Sequence, residues 1–291
     1  AMVIASISKK IVVACVGLFL LLFLLVHLGI NLCLLRPDDG AWFVAASNFM
    51  GTNYIVKVFE IVLFAVLFIH IILTIALQIQ NWKARPVRYH QASKSKTSAA
   101  SKTMIWTGGL VLCFLILHFA NFYFVKMGWV EGKYMIQSEE LITTELQKDY
   151  MDLTQGKLGE EETMVFQNKM EKINAIITKA EAEDLYSEDL KWIRNLSAAD
   201  VKPLEGIVEG VEPDFYHMSY DLFNNKAYSI IYIILFIALA FHLVHAMQSA
   251  FQTLGLNHNK YNKFIEGFSW IYAIVIALGF TIIPIYIMFF V

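Results

Sequence analysis

Charged residues are scarce in this chain, making up 16% of its 291 residues, whereas 57% of the residues are hydrophobic. Soluble domains carry about a quarter charged residues, so the composition excludes an ordinary soluble protein. The net charge of −2 offers no basic surface for nucleic acid. Three cysteines lie in apolar runs, without a CxxCH or clustered pattern. This excludes a disulfide framework, an iron–sulfur centre and covalently attached haem.

Five apolar stretches are long enough to cross a bilayer, which takes about 20 helical residues. They predict an all-α membrane protein with helices I (10–34), II (56–80), III (104–126), IV (227–252) and V (264–290). No small-residue cleavage site follows the first stretch, so we interpret it as a retained helix and not a signal peptide. Three regions follow: 1–133 with helices I–III, an insert at 134–222, and 223–291 with helices IV and V.

Lysine and arginine collect on one side of these helices, which predicts the orientation. The II–III loop holds basic residues and no acidic one: Lys83, Arg85, Arg88, Lys94, Lys96 and Lys102. This loop and the N-terminus are therefore expected in the cytoplasm, and the C-terminus and the insert outside. We expect a multi-pass protein of the cytoplasmic membrane, surrounded by lipid.

The region between helices III and IV is acidic, with 21 acidic and 10 basic residues in 127–226. Apolar residues recur there at spacings of four and three, which is typical of an amphipathic helix: Phe166, Met170, Ile173, Ile177 and Ala180. A second short helix is predicted around Ser187–Leu196. The insert is thus expected to be external and helical.

Four of the eight histidines lie deep in separate predicted helices: His27, His70, His118 and His242. Each lies about 14 to 17 residues from the start of its helix, at about 1.5 Å per residue. Helices I and III run outward and helices II and IV run inward, so His27 and His118 fall in the outer half and His70 and His242 in the inner half. Two pairs at two depths suit two stacked bis-histidine haems. The alternative for each intramembrane histidine is an interhelical hydrogen bond.

Two glycines and a fifth histidine are further candidates for the haem sites, on weaker sequence evidence. Gly17 and Gly108 each precede a histidine by ten residues, about 15 Å along a helix, where a missing side chain would admit the inner haem; ordinary close packing is the alternative. His245 is a rival ligand to His242, or a group that bonds a propionate or lines the haem pocket. His90, His217 and His258 are interpreted as solvated surface histidines.

The stretches that carry a family resemblance are Leu24-Leu25-Val26-His27, Glu60 with Phe68-Ile69-His70, Trp106-Thr107-Gly108 with His118, and Phe241-His242 with Gly255. They resemble the dihaem cytochrome b membrane-anchor subunit of succinate dehydrogenases and fumarate reductases (respiratory complex II), of the five-helix, single-anchor type. The run from Phe241 to Gly255, followed by Asn257-His258, is similar to the Bacteroidetes branch, as is Ala84-Arg85-Pro86-Val87. The resemblance covers helices I to V.

The resemblance implies the roles of the histidines and the partners. His27 and His118 would bind a distal haem b, and His70 and His242 a haem b proximal to the iron–sulfur subunit. A flavoprotein subunit with FAD and an iron–sulfur subunit would dock on the cytoplasmic face, and electrons would pass between them and menaquinone. The chain holds no flavin or dicarboxylate motif, so it would be the electron-transfer and quinone-reactive subunit of the enzyme.

Two features depart from the family pattern. The family's III–IV loop is short, whereas this chain carries the acidic insert, for which the resemblance supplies no role. Some fumarate reductases of this type have a glutamate two residues before the fourth-helix ligand, associated with proton movement. Ala240 stands there in this chain, so that pathway is not carried over.

Quinone chemistry is expected on the outer side, near the distal haem. Glu60 either exchanges the protons that quinone reduction requires or is a structural partner of Lys57. Asn31, Lys57 and Trp42 are candidate quinone contacts; an ordinary interfacial belt of polar and aromatic residues is the alternative.

Two other functions remain as alternatives. One is a dihaem cytochrome b subunit of another quinone-linked dehydrogenase, such as a hydrogenase or formate dehydrogenase. The other is a transporter that passes protons or metal ions along intramembrane histidines. The sequence leaves open whether the reaction runs as succinate oxidation or fumarate reduction, and whether the complex is a homodimer.

Overall fold

The computed structural model describes residues 6–84, 99–187 and 191–291. Its helices are α1 (Ser6–Leu32), α2 (Ala41–Thr52), α3 (Tyr54–Ala84), α4 (Ala99–His118), α5 (Phe124–Lys126), α6 (Thr144–Thr154), α7 (Glu160–Ala182), α8 (Ala198–Val201), α9 (Phe215–Asn224), α10 (Lys226–Thr253) and α11 (Asn262–Phe290). The strands are β1 (Lys133–Gln137), β2 (Tyr186–Ser187), β3 (Trp192–Ser197) and β4 (Val211–Pro213). A π-helical turn, Phe119–Tyr123, joins α4 to α5.

Five helical segments are long and apolar enough to cross a membrane, as predicted. They are Ile7–Leu35, Tyr54–Ala84, Thr103–Lys126, Lys226–Thr253 and Asn262–Phe290. Each contains or closely matches one of the predicted helices I–V, because an uninterrupted apolar run of this length can bury its backbone polar groups in lipid only as a helix.

The chain folds as two compact units, one formed by Ala1–Leu115 with Phe223–Val291 and the other by Ile116–Leu222. In the first, here called the membrane unit, α1, α10 and α11 pack together. A Cβ placed on Gly279 of α11 would lie 2.8 Å from the Leu28 side chain of α1, so the missing side chain permits this close approach. The Tyr272 hydroxyl donates a hydrogen bond to the Leu21 carbonyl, which satisfies a polar group inside an apolar interface.

The two remaining long helices of the membrane unit contribute little to its core. Within the described residues of α3 no side chain is buried, and along the described part of α4 only Thr107 is. Both helices nevertheless consist mainly of apolar residues. Their surfaces therefore require an apolar environment from outside this chain.

The connection between α1 and α3 is more ordered than the sequence suggested. It contains α2, which begins after Gly40, a residue in the left-handed region at φ 77°. Phe43 and Val44 of α2 are buried. The sequence analysis predicted no helix between helices I and II.

The second unit, here called the insert unit, has a four-stranded antiparallel sheet in the order β2-β3-β1-β4. Helix α7 supplies much of its apolar core and confirms the predicted amphipathic helix. Phe166, Ile173 and Ala180 are buried, and Met170 and Ile177 pack against them. The insert is therefore mixed α and β, and the expectation that it is helical throughout is wrong.

The second predicted insert helix, around Ser187–Leu196, is wrong as well. Ser187 ends β2, and Trp192–Ser197 forms β3. Asn195 has a positive φ of 62°, which interrupts any helical turn. Strand β3 pairs with the distant strand β1, for example Leu196 with Tyr134, and packing against such a partner overrides the local propensity on which a helix prediction rests.

Candidate functional site

Two histidines from separate long helices approach each other inside the membrane unit. The ring centroids of His70 on α3 and His242 on α10 lie 6.4 Å apart, with ring planes at 82°. Both side chains are half-buried. The structure thus brings together the two histidines that the sequence assigned to the same depth.

The Nδ1 atoms of this pair bear on the hydrogen-bond interpretation of intramembrane histidine. The Nδ1 atoms of His70 and His242 are buried and lack a hydrogen-bond partner among the described residues. A buried polar atom without a partner costs about 1–3 kcal/mol. The main structural alternative, an interhelical hydrogen bond, is therefore not formed by these two Nδ1 atoms.

The spacing of the pair fits a shared metal. An ion between two imidazole nitrogens, at about 2 Å from each, sets the ring centroids about 6 Å apart. The centroid distance of 6.4 Å between His70 and His242 agrees with this. The two residues could therefore hold a haem iron between them.

Gly108 of α4 lies beside this pair. A Cβ at Gly108 would be 3.6 Å from Cε1 and 3.7 Å from Nδ1 of His242. Gly108 therefore lies at the level of the inner pair, consistent with the ten-residue spacing, and a Cβ there would be in ordinary van der Waals contact with the His242 imidazole. No heavy atom lies within 4 Å of a Cβ at Gly17, so close packing with the described chain does not explain that glycine.

His245 lies one turn beyond His242 on α10 and is half-buried. The ring that approaches His70 is that of His242. This geometry supports the choice of His242 as the ligand from α10.

His27 of α1, in the membrane unit, lies among aromatic rings. Phe23 stacks on it at 5.2 Å between centroids, and Phe280 of α11 lies at 5.7 Å. The Asn31 amide donates a hydrogen bond of 2.8 Å to the backbone carbonyl of His27, and its nitrogen lies 3.4 Å from Nδ1 of the His27 ring. Asn31 was a candidate quinone contact, but its NH₂ group is directed at His27.

His118, the last residue of α4, belongs to the insert unit. Its ring lies 5.3 Å from that of Phe122 and 6.3 Å from that of Phe119. The π-helical turn begins directly after it, and such turns are rare and often occur at functional sites. Since His27 and His118 belong to different units, their assignment to one outer site remains a prediction.

The other candidate quinone residues lie on α2 and α3. Glu60 is half-buried and Lys57 is exposed on α3. The Arg36 guanidinium lies over the Trp42 ring, 4.7 Å from the ring centroid. Arg36 also forms a 2.9 Å ion pair with Asp38. A cation held over the tryptophan ring is a stable interfacial arrangement by itself.

His217, expected to be a solvated surface residue, is bonded to a buried carboxylate in the insert unit. Its Nδ1 lies 2.6 Å from Oδ2 of Asp214, which is fully buried and also accepts from the Asn195 backbone N–H. Burial opposes ionisation of Asp214, but the bond to His217 and the nearby Arg194 charge hold its pKa below the usual value. Asp214 stands at the N-terminus of α9, where aspartate is favoured, and this was the available sequence signal.

Some candidate residues lie outside the described part of the chain. Arg85, Arg88, His90, Lys94 and Lys96 of the II–III connection are among them. Lys83, at the end of α3, is exposed. Over the described ranges, no group of three or more histidine, cysteine, aspartate or glutamate side chains could hold a metal ion.

Comparison of the chain with protein-family models, with curated proteins and with solved structures gives no match.

Proposed function

We propose that this chain is the membrane-anchor cytochrome b subunit of a succinate:quinone oxidoreductase. It would bind two haems b and carry electrons between an iron–sulfur subunit and menaquinone. The observation that carries the proposal is the His70–His242 pair, with ring centroids 6.4 Å apart and both Nδ1 atoms buried without partners among the described residues.

The residues of the inner site would act by binding and by excluding water. His70 and His242 would hold the iron from two helices, and Gly108 lies against the His242 ring. The surrounding helices are apolar, so water has little access to the imidazoles. A six-coordinate haem supplies one-electron transfer without an open position for oxygen.

The outer site would be formed by His27 and His118, on the depth argument from the sequence. Each histidine has neighbours that would fix the orientation of its ring. Asn31 contacts His27, and aromatic rings lie beside both histidines. Neighbours that orient a ligand imidazole support metal binding in general.

Quinone chemistry would take place at the outer side, where Glu60 would hold or release a proton. Two histidine pairs at two depths would span most of the roughly 30 Å hydrocarbon core, a distance that electrons need to cross only if quinone reacts far from the cytoplasmic subunits. Lys57 and Trp42 are the accompanying candidates for contact with the quinone head.

Purification of the chain from its native membrane tests this function. We expect a flavoprotein and an iron–sulfur subunit to co-purify, and succinate to reduce the b-type absorption bands of the complex. Partners of a hydrogenase or formate dehydrogenase, together with reduction by hydrogen or formate, would favour the alternative dehydrogenases. A preparation without haem bands would favour the transporter hypothesis.

Ligand variants in the purified complex test the two sites separately. His70→Leu or His242→Leu should remove the inner haem and spare the outer one, and His27→Leu or His118→Leu should do the reverse. An equal loss of both haems in all four variants would contradict two independent sites.

A further inference from the structure

The insert unit contains an apolar cavity that the electron-transfer function does not use. It has a volume of about 510 Å³, within the range of about 300–1,000 Å³ typical of ligand sites. Its inner wall is apolar, with Phe166, Ile173 and Ile177 of α7 and Ile193 of β3. The apolar lining and the volume of the cavity suit a hydrocarbon chain.

The opening of this cavity is apolar as well. Ile142 and Tyr150 line it and are 68% and 58% exposed. Apolar side chains held at that exposure around a cavity are typical of a ligand entrance. The polar lining residues Gln147 and Asn174 supply amides and no cation, so nothing among the described lining residues pairs with an anionic ligand.

The insert unit is attached to the membrane through its own residues. It begins at Ile116, inside the apolar segment that ends at Lys126. The Phe122 ring in that segment lies 6.2 Å from that of Phe215 on α9. The insert unit is therefore tethered to the membrane by a segment that is part of its own fold, and membrane lipid is the apolar ligand that this tether supplies.

Charge restricts the kind of lipid. Residues 127–226 hold 21 acidic and 10 basic side chains, and the one ionisable carboxylate among the described lining residues is Glu181. An anionic headgroup at this surface would be repelled. A zwitterionic or uncharged headgroup would not.

We propose that the insert unit binds one acyl chain of a membrane phospholipid with a zwitterionic or uncharged headgroup in the cavity between α6, α7 and the β2–β3 edge of the sheet. The chain lies along Phe166, Ile173 and Ile177, and the headgroup remains at the opening beside Ile142 and Tyr150. This site is independent of the proposed haem function, since it uses no histidine and lies wholly in the insert unit.

Photo-crosslinking with the full-length protein in lipid nanodiscs tests the site. The probe is phosphatidylcholine with a diazirine near the end of one acyl chain, and the labelled peptides are identified by mass spectrometry. We expect labelling of α7 around Ile173 and Ile177. A phosphatidylglycerol probe with the same chain, a diazirine fatty acid and a diazirine menaquinone analogue should each label these residues less.

A matched pair of variants separates binding in the cavity from general contact with lipid. Ile142→Glu places a carboxylate at the opening and should lower the labelling of α7 about tenfold, because an acyl chain that lies against this carboxylate removes water from the charge. Met151→Glu is the control, since Met151 is 50% exposed on α6 and does not line the cavity.

Three outcomes would overturn the proposal. They are the absence of label on α7, equal labelling in Ile142→Glu and the unchanged protein, and stronger labelling by the anionic or menaquinone probe. Label at Ile173 or Ile177 that falls in Ile142→Glu and persists in Met151→Glu supports it. Folding is checked independently by hydrogen exchange of the β1 and β3 peptides, which should match between the two variants.

Discussion

Adjacent glycines on α4 allow a sharp test of the inner site. A Cβ at Gly108 would lie 3.6 Å from His242 Cε1, an ordinary van der Waals distance, whereas a Cβ at Gly109 meets nothing within 4 Å. Gly108→Ala should therefore be tolerated. Gly108→Leu adds atoms beyond that Cβ, which would collide with the imidazole and displace it.

The expected magnitude follows from this collision. Overpacking costs about 1–3 kcal/mol, equivalent to a roughly 5- to 150-fold lower affinity for the inner haem. Metal–ligand distances tolerate changes of only about 0.2 Å, so a ring shift of about 1 Å would break the ligation outright. Gly109→Leu introduces the same side chain one residue away and should leave the His242 ring in place.

The assay is the haem-to-protein ratio of each purified variant, with a reduced-minus-oxidised spectrum. We expect Gly108→Ala and Gly109→Leu to keep the wild-type ratio and Gly108→Leu to lose the inner haem. Full retention in Gly108→Leu, or equal loss in Gly108→Leu and Gly109→Leu, would refute the placement of His242 as a ligand beside Gly108.

Three further predictions concern single residues. His245→Ala should keep both haems, because His242 faces His70; loss of the inner haem in that variant, with retention in His242→Ala, would reverse the ligand assignment. Glu60→Gln should suppress quinone-linked turnover while both haems and dye-linked succinate oxidation persist, and wild-type quinone turnover would make Glu60 structural. The pKa of Asp214 is lowered in the folded insert unit, so its ionised form stabilises the fold. This stabilisation is complete when the pH is above the usual aspartate pKa of about 4, and it is lost as the pH falls through the lowered pKa. Asp214→Asn should destabilise the insert by about 1–3 kcal/mol and weaken its acid sensitivity, as measured by hydrogen exchange of the β3 and α9 peptides against pH; an unchanged pH profile would contradict this.

The parts of the fold that were predictable are those with a local cause. The membrane helices follow from the length of their apolar runs, and α7 follows from the spacing of residues such as Phe166 and Ile173. The short helix α2 was missed because its apolar stretch is too short to cross a membrane. Strand β3 was mistaken for a helix because its pairing partner β1 lies more than 50 residues earlier in the chain.

The candidate site shows the same division. The depths of His70 and His242 follow from the helical rise, so their approach was predictable from position alone. The partner of His217 was not, because Asp214 is buried by contacts that only the folded insert creates, including the Asn195 backbone. The direction of the Asn31 amide towards His27 likewise depends on a side-chain conformation.

The haem content of the wild-type chain tests the central claim most directly. A pyridine haemochrome assay on the purified protein, with the polypeptide quantified by amino-acid analysis, gives haem b per chain. We expect two haems b per chain. One haem would contradict the pairing of four histidines at two depths, and none would contradict the cytochrome assignment itself.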